Sequence, residues 1–152
     1  MQGYTATTAR VVFARADLGG PAGLYVVSLK GGALKRLTEV NGDVLGESTL
    51  SDYEQFSFKG WNDETVHGYV VKPYGFGPGE RFPVAFVVHS GPQSSFQNIW
   101  SYRWNSQTFA GAGYGVVMID FHGSPGYGQA FTDSISRDWG GKPPVDLQSQ
   151  GL

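Results

Sequence analysis

Val84-Ala85-Phe86-Val87-Val88-His89-Ser90-Gly91-Pro92 is a short apolar run that opens directly into a loop of small residues. Val116-Val117-Met118-Ile119-Asp120-Phe121-His122-Gly123-Ser124-Pro125-Gly126-Tyr127-Gly128 repeats that arrangement. Short apolar runs bounded by turn formers read as strands buried on both faces. A loop of small residues after such a strand suits a backbone that must approach a substrate closely. Between the runs lies an aromatic-rich stretch from Phe96 to Phe109, in which Trp100, Trp104 and Thr108 fall on one helical stripe. Gly111-Ala112-Gly113 then stops that helix. Apolar strand, helix, apolar strand describes a right-handed crossover within a parallel sheet, so the fold class is α/β.

Working outward, Gln55-Phe56-Ser57-Phe58-Lys59 and Val66-His67-Gly68-Tyr69-Val70 both alternate, with Asn62-Asp63 between them as turn chemistry. They are predicted to form a hairpin. Pro73 to Pro83 is a loop, and residues 39 to 54 are polar and aperiodic, which makes them the expected linker. Upstream, Arg10 to Ala14, Leu24 to Ser28 and Lys35 to Thr38 read as strands separated by Gly19-Gly20-Pro21 and Lys30-Gly31-Gly32. Strands joined by short glycine turns suggest an antiparallel meander, as in one blade of a propeller. Downstream, Gln129 to Trp139 is a predicted helix ended by Gly140-Gly141, and Asp146 to Leu152 begins another.

Composition bounds the function. The chain has 152 residues, 40% hydrophobic and 16% charged, which is the balance of a globular protein rather than a disordered tail. A net charge of -2 gives no footprint for nucleic acid or an anionic membrane surface. No apolar run approaches the ~20 residues of a membrane span. With no cysteine there is neither a thiolate metal site nor a Cys nucleophile, and the compartment stays open.

The loop after the first apolar run offers the backbone N–H groups of Ser90 and Gly91 as anion donors, because Pro92 has none. His89 is read as orienting this loop through a backbone hydrogen bond. His122 ends the neighbouring run, so the two imidazoles are expected near one another. Their spacing with Asp120 matches no compact metal motif, and no metal is expected. His67 reads as a half-exposed strand residue. Trp100, Tyr102, Trp104 and Phe109 are read as helix-to-sheet packing before pocket lining. Gly123 to Gly128 lacks the Gly-Lys-Ser/Thr ending of a phosphate loop and reads as a tight turn at an active-site rim. No serine has glycine two before and two after it, so the strained elbow of a serine nucleophile is missing. Ser124 fails that test and is read as a loop hydrogen-bonding residue.

Taken together, Glu54-Gln55-Phe56-Ser57-Phe58-Lys59-Gly60, His67-Gly68-Tyr69-Val70-Val71-Lys72-Pro73, His89-Ser90-Gly91-Pro92-Gln93, Asp120-Phe121-His122-Gly123-Ser124, Gly126-Tyr127-Gly128-Gln129-Ala130-Phe131 and Asp138-Trp139-Gly140-Gly141-Lys142-Pro143 resemble the prolyl oligopeptidase family of serine peptidases. The resemblance is to its dipeptidyl peptidase V and acylaminoacyl-peptidase branch. It implies a propeller followed by an α/β-hydrolase domain, with residues 1–50 as the terminal blade and linker and residues 51–152 as the first part of the hydrolase. In that fold the fourth strand pairs between the second and third. The family's Ser, Asp and His triad would lie beyond Leu152, so this chain alone is expected to be inactive. Gly91 would supply an oxyanion-hole N–H, while His89 stands where the dipeptidyl peptidase IV branch carries an oxyanion-binding Tyr. The implied activity is hydrolysis of short peptides through an acyl-enzyme, with no cofactor. The expected partners are a peptide substrate and, through an exposed sheet edge, a further copy of the chain. An esterase-like hydrolase and a non-catalytic binding module are the alternative readings. The blade-like segment and the Glu54-to-Pro73 match argue against the first of them.

Overall fold

A computed structural model describes residues 3–91 and 93–149. Pro92 and the last three residues of the expected C-terminal helix lie outside the described residues.

The chain first forms a four-stranded antiparallel meander: β1 (Tyr4–Ala6), β2 (Arg10–Asp17), β3 (Gly20–Ser28) and β4 (Lys35–Arg36), in that spatial order. β1 is absent from the sequence reading, because three exposed residues are too few to display an alternation. The β2–β3 turn is Leu18-Gly19, not Gly19-Gly20-Pro21. Pro21 falls where the ladder is irregular, between the Asp17–Gly20 and Arg15–Gly23 pairs. A bulge tolerates a residue with no N–H to donate. The segment read as a linker contains a short helix, α1 (Gly42–Gly46).

The second sheet comprises β5 (Tyr53–Lys59), β6 (Thr65–Val71), β7 (Val84–Val87) and β8 (Gly115–Asp120), in the order β5-β6-β8-β7. β5 and β6 form the predicted hairpin, whose turn places Asn62 and Asp63 at φ 54 and 57. Asn and Asp tolerate that left-handed region better than other side-chain-bearing residues. β8 runs antiparallel to β6 and parallel to β7, so the last strand in sequence sits inside the sheet. Its two faces feed two cores. Val116 and Met118 pack with Val71, Ala110 and Leu18, while Ile119 packs with Val66 and Phe121 on the other side. Burial on both faces explains why β8 shows no period.

The helices depart from the sequence reading. α2 covers only Ser106–Gly111, and residues 96–105 are irregular. There the Ser101 hydroxyl accepts from the Arg103 and Trp104 N–H groups, and the Asn105 side chain accepts from Gln107 N. Such side-chain bonds offer the backbone an alternative to a helix, and the last one caps α2. Tyr102 is 83% exposed and Trp104 61% exposed, so the aromatic stripe is not a packed face; Phe109 alone of that group joins the core. α3 (Gln129–Asp133) stops well short of Trp139, and Arg137 sits at φ 67. α4 (Lys142–Gln148) begins before Asp146, with prolines in its first turn. A missing N–H costs nothing there.

The meander and the second sheet meet at Leu18. Its side chain, 6% exposed, enters the core beside Val116 and Met118. Gln107 Nε2 donates to the carbonyls of Leu18 and Ser51, and Asn98 Oδ1 accepts from Leu18 N at 2.9 Å. Leu18→Ala should therefore lower stability by about 2–4 kcal/mol. The check is the urea midpoint of the variant; a shift below about 1 kcal/mol would mean the turn is not part of the core.

Candidate functional site

Because β7 and β8 are parallel, their carboxyl ends point the same way and the loops that follow lie side by side. Ligands of open α/β sheets bind outside such ends. Asp120, the last residue of β8, is 2% exposed and holds the two loops together. Its Oδ1 accepts from Phe96 N at 2.9 Å. Its Oδ2 accepts from the Ser95 hydroxyl at 2.9 Å and the Tyr127 hydroxyl at 2.6 Å. Ser95 and Phe96 follow β7, whereas Tyr127 follows β8. Burial, and then the bond to Asp120, push the Tyr127 phenol far above its ordinary pKa, so it stays a donor.

His89 lies in the first loop with its side chain 6% exposed. Its ring stacks on Phe121 at 4.2 Å between centroids. Nδ1 is 3.3 Å from Ser90 O, and a carbonyl can only accept, so Nδ1 carries the proton. Nε2 of the neutral ring then accepts from the Ser124 hydroxyl at 3.0 Å. Burial lowers the His89 pKa, and the weaker opposing effects of the Ser90 bond and the Asp120 charge do not restore it. The unfolded chain takes up a proton near the ordinary value of about 6.5, and the folded chain does not. Stability should thus fall as pH drops through that value. Urea midpoints of the wild type and His89→Gln at pH 7.5 and 5.5 test this; equal pH sensitivity in both would refute it.

The His89–Ser124 contact resembles half of a nucleophile–base pair, but its surroundings exclude that use. Ser124 is 0% exposed, so no substrate carbonyl can reach its Oγ. The nearby carboxylate oxygen, Asp120 Oδ1, is 4.0 Å from Nε2, the nitrogen facing the serine. An orienting carboxylate belongs on the other nitrogen.

Gly91 follows this histidine at φ 140, a backbone conformation in which a side chain is strained. A Cβ there would also stand 2.9 Å from Ser94 Cβ. Gly91 is exposed, and its N–H has no hydrogen-bond partner among the described residues.

His122 does not join His89. It is 0% exposed, and its Nδ1 lies 2.7 Å from Asp146 Oδ2. Its Nε2 meets Glu64 at 3.2 Å. Asp146, also 0% exposed, further accepts from His122 N at 2.7 Å and Trp61 N at 2.8 Å. The sequence reading missed this cluster. Asp146 stands 85 and 24 residues from those partners, and no local pattern links them. No three His, Asp or Glu side chains are placed to hold one metal ion among the described residues. His67 is half-buried and stacks on Tyr127 at 5.0 Å.

The model of the prolyl oligopeptidase family matches residues 100–149. Dipeptidyl-peptidase 5 of Schizosaccharomyces pombe is 43% identical over 119 residues, covering 72% of this chain and 17% of the relative. An acylaminoacyl peptidase in complex with Z-Gly-Gly-Phe-chloromethyl ketone superposes with a TM-score of 0.82 at 26% identity, over 97% of this chain and 23% of that one. The orthorhombic form of Pyrococcus horikoshii acylaminoacyl peptidase gives 0.80 at 26% identity, over 96% and 23%. The chain therefore spans about a fifth of the length of these proteins.

Proposed function

Because this chain belongs to the prolyl oligopeptidase family, we propose that it forms one wall of a serine peptidase active site and supplies one of its oxyanion donors. The single observation that carries this is the Gly91 N–H, unpartnered among the described residues and placed just past the carboxyl end of β7. The reading divides the chain into a terminal propeller blade with linker, residues 1–50, and the start of a hydrolase domain, residues 51–152. The substrate class is short peptides, cleaved as dipeptides or as blocked terminal residues.

In the complete enzyme a serine hydroxyl attacks the scissile carbonyl and passes its proton to a histidine. Negative charge gathers on the carbonyl oxygen, and the Gly91 N–H donates to it in the tetrahedral intermediate. Collapse expels the amine and leaves an acyl-enzyme that water hydrolyses. A donor aimed at an oxyanion contributes roughly 10²–10³ in kcat. His89 acts on this step at one remove: its bonds to Ser90 and Ser124 set the path of the loop.

The purified chain should neither react with a fluorophosphonate probe nor turn over a chromogenic dipeptide. Labelling of any serine would overturn the assignment of the nucleophile to another part of the enzyme. In the complete peptidase, Gly91→Ala keeps the N–H but sets a Cβ at φ 140 and 2.9 Å from Ser94 Cβ, which turns the donor off the oxyanion; kcat should fall by about 10²-fold while the protein remains folded. A kcat within threefold of the wild type would remove Gly91 from the oxyanion hole.

A further inference from the structure

A recess opens beside Asp120. It is a cavity of about 360 Å³, walled by Tyr69, Ser95, Gln97, Asp120 and Tyr127 with the Pro125-Gly126 turn at its rim. We propose that it binds a primary ammonium group, carried either by the free amino end of a peptide or by a lysine side chain.

Charge is the first argument. Among the described residues, Asp120 is the one formally charged residue that lines the cavity, and no lysine or arginine does. The imidazole 4.0 Å from its Oδ1 is His89, which burial keeps neutral. The carboxylate is hydrogen-bonded and, among the described residues, has no lysine or arginine partner, so its negative potential reaches the recess.

The direction of the hydroxyl protons is the second. Ser95 and Tyr127 each spend their single proton on Asp120. A hydroxyl that donates its proton still has lone pairs to accept with. Tyr127 Oη thus keeps lone pairs with which to accept. Ser95 Oγ, which also accepts from Gln97 N, retains one more. The Tyr69 hydroxyl bonds to none of the other described residues. An ammonium group offers donors only and fits these acceptors, while a carboxylate or phosphate would meet the buried charge of its own sign on Asp120.

The third is the aromatic surface. Tyr69 and Tyr127 line the cavity, and aromatic rings attract cations. The Tyr127 ring is held by its stack on His67, with planes 6° apart. The Tyr69 phenol is raised in pKa by burial and then by the Asp120 charge, which is the mark of a negative field at this position. Gln97 reaches the rim from a backbone at φ 49, a conformation rare for a side-chain-bearing residue and frequent where a loop is committed to a site.

That the ammonium belongs to a peptide rests on the peptidase reading; that the cavity prefers an ammonium does not. Equilibrium dialysis of the chain at pH 7 and low salt, where both amines are protonated, against Gly-Phe-amide, Nα-acetyl-lysine amide and neutral N-acetyl-Gly-Phe-amide, separates the two. At least one cationic probe should bind tenfold or more tightly than the neutral one, and which of them does so identifies the source of the ammonium. Tyr127→Phe should weaken that probe at least fivefold with an unchanged circular dichroism spectrum. Tyr69→Phe, which keeps the ring and leaves the Asp120 bonds untouched, should weaken it at least twofold and guards against misfolding of the first variant. Equal binding of cationic and neutral probes, no binding of any, or two folded variants with wild-type affinity would overturn the proposal. Because no hydrolysis is read, a failed peptidase assay leaves this result standing, and the reverse also holds.

Discussion

Asp146→Ala is expected to remove a third or more of the stability of this chain at 25 °C. Asp146 is completely buried and accepts from Trp61 N, His122 N and His122 Nδ1. Truncation removes all those acceptors at once and leaves the donors facing protein. Each orphaned buried donor costs about 1–3 kcal/mol, so the loss is on the order of 5 kcal/mol. A domain of this size has roughly 5–15 kcal/mol in total. Asp146→Asn should fall between the two, since the amide keeps one acceptor and turns its NH₂ toward a donor. Far-UV circular dichroism in urea distinguishes these cases. A cooperative transition for the alanine variant, within about 1 kcal/mol of wild type, would show that water satisfies the cluster.

The second large effect is on association. β7 is hydrogen-bonded to β8 along one edge and to no strand along the other, among the described residues. Its sequence, Val84 to Val88, carries no charge, and Val84 and Val88 are 45% and 50% exposed. Edges of this kind template pairing with further chains unless a charge, a bulge or a covering element blocks them. We expect the purified chain to elute from size exclusion as oligomers, with light-scattering masses that grow with concentration. Val84→Lys should move most of the protein to the monomer position, because pairing would then bury an ammonium group. A sharp wild-type monomer peak with a cooperative melt would show that the edge is benign.

Several elements were legible in the order of amino acids alone. The apolar runs at Val84 and Val116 are the β7 and β8 strands, and the Asn62-Asp63 turn joins β5 to β6. These signals are local: buried strands need consecutive apolar residues, and a left-handed turn needs side chains that tolerate it. The helix read over Phe96 to Phe109 failed for an equally local reason that the periodicity hid. Ser101 and Asn105 bond to the backbone just ahead of them, and the helix starts only at Ser106. In the same way a 3.6-residue aromatic spacing says where a side chain would point on a helix, not whether the helix exists.

The chemistry at the ends of β7 and β8 divides along the same line. That two small-residue loops follow two apolar strands, and that Gly91 can occupy a conformation closed to other residues, is written in the sequence; that β7 is an edge strand with no buried residue, rather than one buried on both faces, is not. Tertiary structure alone decided the rest. Asp120 bridges Ser95, Phe96 and Tyr127, Leu18 crosses from the meander into the core of the second sheet, and His122 turns away from His89 to Asp146. Each of these joins groups brought together by packing rather than by sequence spacing. A buried polar group must find a partner wherever the fold brings one near, and that partner is chosen by the fold as a whole.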